Sequence, residues 1–257
     1  MDEAEWLVCE EPRPMLEYLR GKASDRKLRL FACGCCRRLW DLLPSDLNRQ
    51  AVQAIEEYPD TVSGELYPEG VFSHPVLGEA LVASSSQEIL WNCGLVEPTG
   101  TFDLVALLEA VRRSHGYVLD RSLAYRAVKS LGRSFYKSTP LKCAVSVALR
   151  AAGAKGEGGT RAEAAEQAAL LRDVLGNPFR PVSLDPTWLT PTVVGLAQAA
   201  YDERILPAGT LDADRLAILA DALEDASCTD TAILSHLRGT GPHVRGCWVV
   251  DCLLKKG

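Results

Sequence analysis

The sequence contains no apolar run close to the roughly 18 to 20 residues that a membrane-spanning helix needs. Its first residues, MDEAEWLVCEEP, are acidic and lack the basic and apolar regions of a signal peptide. The chain also lacks an excess of positive charge: its formal net charge is −6, so no general attraction to nucleic acid or anionic lipid is expected. These absences predict a cytoplasmic protein without a membrane partner.

The sequence signatures of common enzymes are missing as well. We find no GxGxxG, no GxxxxGK[ST], no GxSxG and no HExxH motif. The nine cysteines are odd in number and irregular in spacing, so we expect buried thiols rather than disulfides, including the cluster Cys33, Cys35 and Cys36. With 47% hydrophobic and 24% charged residues, the chain has the composition of a folded protein, and no catalytic residue is predicted.

The pattern of apolar residues is helical nearly throughout, and no clean period-two alternation longer than about four residues occurs. Helix starts are predicted at Ser24, at Thr160 with Glu163 as a capping box, at Thr190 before a proline, and at Asp212. The sequence therefore predicts an all-α protein built as a multi-helix bundle.

A glycine-rich stretch at residues 154–159 is the most linker-like part of the chain. It predicts two packed helical subdomains, an N-terminal one over residues 1–153 and a C-terminal one over residues 160–257. A single continuous bundle is the alternative.

Two of the four histidines lie in a short segment that also holds two cysteines, in the order C-x(7)-H-x(6)-H-x(3)-C. These residues are Cys228, His236, His243 and Cys247, and thiolates and imidazoles are the ligands of tetrahedral zinc sites. The spacing is not that of a standard zinc finger. One interpretation is a structural zinc with no other cofactor; the other is that the cysteines are core residues and the histidines cap helix ends or form local hydrogen bonds.

The last predicted helix, residues 244–254, is apolar nearly all round, as expected for a buried helix. Asp251 lies on its apolar stripe, and a carboxylate there must be paired, act as a ligand, or lie near a surface edge. Arg180 and Arg245 are the expected partners of a buried ionic pair.

Basic residues concentrate in two stretches, residues 20–38 and 112–133. Two such helices side by side would contact a phosphate backbone, which predicts nucleic-acid binding as one function. A solvated basic face that docks an acidic partner is the alternative. The residues concerned are Arg26, Lys27, Arg29, Arg37, Arg38, Arg112 and Arg113.

Long motifs at both ends resemble a family of uncharacterised planctomycete proteins. They are EAEWLVCEEPRPMLEYLRGKASDRKLRLFACGCCRRLW near the start, then GNPFRPVSLDPTWLTPTVVGLAQAAYDER, LAILADALEDASC and GPHVRGCWVVDCLL. The resemblance implies no catalytic residue, because the family has no established activity. The segment LADALEDAS is also similar to an element of repeat-companion proteins of those bacteria, which implies an interaction role.

The sequence thus leads first to a non-enzymatic helical module that presents a groove or a basic face to an unknown protein partner. Nucleic-acid binding and zinc binding are the alternatives.

Overall fold

In the computed structural model, the chain is described over residues 1–43, 46–57, 140–154 and 156–256. These residues form ten α-helices and two short 3₁₀ helices, Trp40–Leu42 and Pro186–Trp188. In chain order, the α-helices are α1 Glu3–Val8, α2 Pro12–Tyr18, α3 Asp25–Arg37, α4 Asp46–Glu57, α5 Pro140–Ala154, α6 Gly156–Leu175, α7 Pro191–Asp202, α8 Ala213–Asp225, α9 Thr231–Leu237 and α10 Trp248–Leu253.

The described residues contain no β-strand, only two isolated bridges that join Thr210 to Ile205 and to Val244. The predicted all-α multi-helix architecture is therefore confirmed. No helix in the described ranges is both long and apolar enough to span a membrane.

Three of the predicted helix starts are confirmed by hydrogen bonds at the caps. Ser24 accepts from the backbone of Lys27 at the start of α3, and Thr190 accepts from Val193 at the start of α7. Asp212 accepts from two amides at the start of α8. Each side chain satisfies backbone groups that the first turn leaves unpaired, so the signal is local and readable from the sequence.

The predicted capping box at Thr160 and Glu163 is wrong, because α6 begins at Gly156 and runs through both residues. Glu163 is 3% exposed and accepts two hydrogen bonds from Arg38 of α3, at 2.9 and 3.1 Å. Its carboxylate therefore serves tertiary packing rather than a helix end.

The buried apolar residues form two clusters. The first, here called the N-terminal core, consists of residues from α1 to α6 together with Leu19, Leu39, Leu43 and Val244, and contains the fully buried Trp6 and Phe31. The second, the C-terminal core, consists of residues between Val193 and Leu253. Helix α6 packs on α2, α3 and α5 and so belongs to the first. The subdomain boundary at residues 154–159 stays a prediction, and Lys155 lies outside the described residues.

Candidate metal centre

Four side chains of metal-binding type meet where α6, α9 and α10 come together. They are Asp173, His236, His243 and Cys247, and one ligand atom of each lies within 4.8 Å of the others. Asp173 lies near the end of α6, and His236 lies in the last turn of α9. His243 lies in the following turn, and Cys247 is the residue before α10.

Glycine and proline residues form the connection that brings these helices together. Gly176 ends α6 with φ +68°, and a Cβ there would lie 3.1 Å from Cγ of Trp248, so the first residue of α10 packs directly against its backbone. Between α9 and α10, the sequence Gly239-Thr240-Gly241-Pro242 turns the chain, and the amide of His243 donates to the carbonyl of Gly241 at 2.9 Å. The short turn places both histidines beside Asp173.

The donor atoms are close enough to share one ion. Oδ1 of Asp173 lies 2.9 Å from Nδ1 of His243 and 3.2 Å from Nε2 of His236. That same Nε2 lies 3.2 Å from Sγ of Cys247. Bonds of 2.0–2.3 Å place tetrahedral zinc ligands about 3.3–3.8 Å apart, so small side-chain movements suffice to seat an ion.

The ring of His243 is oriented so that both of its nitrogens face oxygen atoms. Nδ1 faces the Asp173 carboxylate, and Nε2 lies 3.2 Å from the carbonyl oxygen of Gly239. A neutral imidazole has a single N–H and satisfies only one of these two acceptors. The arrangement therefore suits either an imidazolium or an imidazole whose Nδ1 binds a cation while Nε2–H donates to the carbonyl, as histidine ligands commonly do.

The cluster is largely buried from solvent. Asp173, His243 and Cys247 are buried, and only His236 is partly exposed, with 19% of its side chain accessible. Burial alone would raise the pKa of Asp173, yet the hydrogen bonds and charges of the two histidines lower it below its ordinary value. Burial likewise opposes protonation of His243, but the Asp173 carboxylate outweighs it and raises that pKa.

Cys247 is a neutral thiol when no ion is bound. Its complete burial, followed by the nearby charge of Asp173, raises its pKa well above the ordinary value. A divalent cation reverses this preference, since a coordinating thiol loses its proton.

The structure brings together three of the four predicted zinc ligands and adds a carboxylate. Cys228 is buried in the C-terminal core, does not belong to the cluster, and has Asp230 and Glu224 as its charged neighbours. Asp173 takes the fourth position. One sequence signal existed for it: Asp173 is an acidic residue beside Leu171 and Val174 on the buried part of α6.

The last helix is shorter than the sequence pattern predicts. The pattern predicted a helix over residues 244–254, but α10 begins at Trp248 and ends at Leu253. A turn with the Cys247 amide donating to the Val244 carbonyl precedes it, and Gly246 has φ +97°. His243 and Cys247 are therefore brought together by a turn and not by helical spacing.

The buried carboxylate of Asp251 is paired, but with other residues than expected. Arg26 contacts it at 2.5 and 3.0 Å and Lys27 at 2.5 Å, and the hydroxyl of Tyr201 donates at 2.6 Å. Arg180 is not buried: 77% of its side chain is exposed, and it pairs with Glu3.

The basic residues of α3 are engaged within the protein rather than displayed on a solvated face. Besides Arg26 and Lys27, Arg37 is 3% exposed and pairs with Glu56 at 2.6 Å. Arg38 forms ion pairs with Glu163 and Glu166. Arg29 is partly exposed. Arg112 and Arg113, with the predicted helix 112–133, lie outside the described residues.

Comparison of the chain with protein-family models, with curated proteins and with solved structures gave no match. The membership suggested by the motifs at both ends therefore stays a prediction.

Proposed function

We propose that the protein binds one zinc ion through Asp173, His236, His243 and Cys247, and that this ion has a structural role. The observation that carries the proposal is the convergence of four ligand-type side chains, from α6, from α9 and from the turn that leads into α10, with both ring nitrogens of His243 facing oxygen atoms. A cation at Nδ1 resolves that arrangement and leaves Nε2–H to donate to Gly239.

The donor set favours zinc among divalent ions. Two imidazole nitrogens, one thiolate and one carboxylate form the mixed set that tetrahedral zinc accepts, whereas magnesium and calcium prefer oxygen ligands. Charge supports a divalent ion as well. The carboxylate of Asp173 and the thiolate of Cys247 together balance two positive charges, so the buried centre would be neutral.

A structural role follows from the number of ligands and from their burial. Four protein ligands complete a tetrahedral zinc site, and catalytic zinc sites instead keep a position for water or substrate. The second oxygen of Asp173 is also occupied, since it accepts from the amide of Val244 at 2.9 Å. The interaction role predicted from the sequence stays a prediction, and a closed metal site is compatible with it.

The direct test is elemental analysis of protein purified without chelator. We expect about one zinc per chain, as for other four-ligand structural sites. Titration of the metal-free protein with cobalt(II) adds a geometric test, because tetrahedral cobalt with a thiolate ligand gives intense visible bands and a charge-transfer band. Zinc and cobalt both well below one equivalent would refute the proposal.

A further inference from the structure

The two hydrophobic cores are joined by a row of polar contacts, which we call the seam. Each contact pairs a residue of α3, α4 or α6 with a residue that follows α7 in the chain. The members are Asp173 with His236, His243 and Val244; Arg26 and Lys27 with Asp251; Arg37 with the carbonyl of Pro207; and Arg204 with Glu56.

The candidate metal centre lies on this seam. Asp173 belongs to α6, which packs in the N-terminal core, while Cys247 is itself part of the C-terminal core. His236 lies in α9, between the C-terminal core residues Ile233 and Leu237. A bound ion would therefore bond one core to the other.

A single short segment carries both the metal ligands and the neighbouring ion pair. From His243 to Asp251 the chain contacts α6 at one end and α3 at the other. Between these points the carbonyl of Gly246 accepts from Lys27 at 2.7 Å, and a Cβ at Gly246 would lie 2.9 Å from Leu30. The segment is thus held against the N-terminal core along its length.

Given zinc at this centre, as proposed above, we infer that the ion controls how firmly the two cores are joined, so that its loss loosens the seam while each core stays folded. The metal centre would then make the contact between the cores respond to metal availability.

The contrast between the seam and the cores supports this inference. Within each core, stabilisation comes from apolar burial, which does not depend on the ion. Across the seam, apolar contacts of Val244 and Trp248 are joined by the buried charged groups named above, whose burial is favourable only while their partners stay in place. Regions that depend on such contacts in addition to apolar burial are expected to open locally at lower free energy than the cores beside them.

Amide hydrogen exchange at single-residue resolution tests the inference, with zinc as the probe. Three amides report on the segment that carries the ligands: Val244 donates to Asp173 across the seam, Leu211 donates to the carbonyl of His243, and Gly246 donates to the hydroxyl of Tyr201. We compare the zinc-loaded protein with the same protein stripped by a chelator. Metal removal should speed exchange at these amides by roughly tenfold or more.

The cores supply the internal reference. Phe31 in α3 and Leu219 in α8 have fully buried side chains, one in each core, and exchange at their amides should change by less than about twofold. The matched pair Cys247→Ser and Cys228→Ser, two buried cysteines of the C-terminal core, separates loss of the ion from loss of a core thiol. Only Cys247→Ser should reproduce the effect of the chelator.

Each outcome decides the matter. If zinc binds at one equivalent but its removal leaves amide exchange unchanged, or speeds exchange equally at the seam and in both cores, the seam inference is overturned and the metal proposal still stands. Absence of zinc binding would overturn both. Because the chelator comparison uses the wild-type chain, it is valid even if a variant fails to fold.

Discussion

The carboxylate of Asp173 lies 2.9 Å from Nδ1 of His243, although 70 positions of sequence separate the two residues. Each of them also binds the backbone of the turn between α9 and α10: Asp173 accepts from the amide of Val244, and Nε2 of His243 faces the carbonyl of Gly239. Both side chains are therefore fixed in direction before any ion arrives. In metal centres, hydrogen bonds from neighbouring groups commonly hold the metal-binding side chains in direction in this way.

Replacing Cys247 by serine should weaken zinc binding far more than replacing Cys228. Cys247 lies in the cluster and Cys228 does not, although both thiols are buried in the same core. Loss of even an outer contact commonly costs 10- to 100-fold in metal affinity, so we expect a loss of about 100-fold or more for the ligand itself.

Competition with a chromophoric chelator measures both affinities. In the cobalt-loaded protein, the thiolate charge-transfer band should disappear in Cys247→Ser and persist in Cys228→Ser. Equal effects of the two substitutions would contradict the assignment of Cys247 as a ligand.

Zinc should stabilise the folded chain in a concentration-dependent way. A ligand that binds only the folded state adds RT ln(1 + [L]/Kd) to the free energy of unfolding, about 2.7 kcal/mol at a free zinc concentration of 100 Kd. Urea unfolding at buffered zinc concentrations measures the slope. Magnesium at the same concentrations is the control and should have no effect, because the site offers a single carboxylate. A midpoint independent of zinc would contradict the prediction.

The helices could be predicted where their signals are local. Ser24, Thr190 and Asp212 cap their helices with hydrogen bonds to amides two or three positions away, so the sequence pattern contains both partners. The Thr160–Glu163 pattern failed for the opposite reason. Its carboxylate binds Arg38, 125 positions away, and this tertiary contact prevails over a weak local one.

The candidate site could be predicted only in part, and for the same reason. His236, His243 and Cys247 lie close together in sequence, so their spacing drew attention to them. Asp173 lies far from these residues in sequence, so no motif points to it. Only the packing of α6 against the turn between α9 and α10 brings it to the histidines. The pairing of Asp251 with Arg26 spans 225 positions, which no local pattern records.

Removing the Asp251 carboxylate should destabilise the protein strongly. Asp251→Ala leaves the side chains of Arg26 and Lys27, which are 7% and 12% exposed, without this buried counter-charge. Breaking a buried ion pair from one side commonly costs about 3–5 kcal/mol, and thermal or urea unfolding measures it.

Arg180→Ala is the matched control for Asp251→Ala. Its ion pair with Glu3 lies at the surface, so we expect a much smaller change in the free energy of unfolding than for Asp251→Ala. Equal effects of the two substitutions would mean that the Asp251 network contributes no more than a surface pair.

The thiols of Cys33, Cys35 and Cys36 should be inert in the folded protein. Burial raises the pKa of Cys36 to about 12, and burial followed by nearby charges raises the pKa of Cys33 and Cys35 well above its ordinary value. Because the thiolate is the reactive form, iodoacetamide at about pH 8 should modify the partly exposed Cys9 before any of these three. Peptide mass spectrometry in native and denaturing buffer measures the order.

These three thiols also predict that the free energy of unfolding decreases at alkaline pH. Their pKa is higher in the folded chain than in the unfolded one, so their contribution is complete below the unfolded value. This contribution to stability is lost as the pH rises from 9.0, the ordinary pKa of the thiol, to about 12, the pKa of Cys36 in the folded chain. Unfolding free energies that increase over this interval would contradict the assignment of neutral, buried thiols.

Alanine at Gly246 should destabilise the protein, whereas alanine at Gly195 should stabilise it. Gly246 has φ +97°, a conformation that disfavours any Cβ, and the new methyl group would lie 2.9 Å from a methyl carbon of Leu30. Gly195 is exposed within α7, and a Cβ there meets nothing within 4 Å. Helix interiors favour alanine over glycine by about 0.5–1 kcal/mol, so Gly195→Ala should add that much.

For Gly246→Ala we expect a loss of about 1–3 kcal/mol, since strain in the backbone adds to the contact with α3. Urea unfolding in saturating zinc measures the stability of both variants. A zinc titration then shows whether the Gly246 variant also binds the ion more weakly, because this glycine precedes Cys247 directly and its carbonyl is held by Lys27. Unchanged stability and affinity in Gly246→Ala would mean that the turn before α10 accommodates a side chain, and that close contact with α3 is not required to place Cys247.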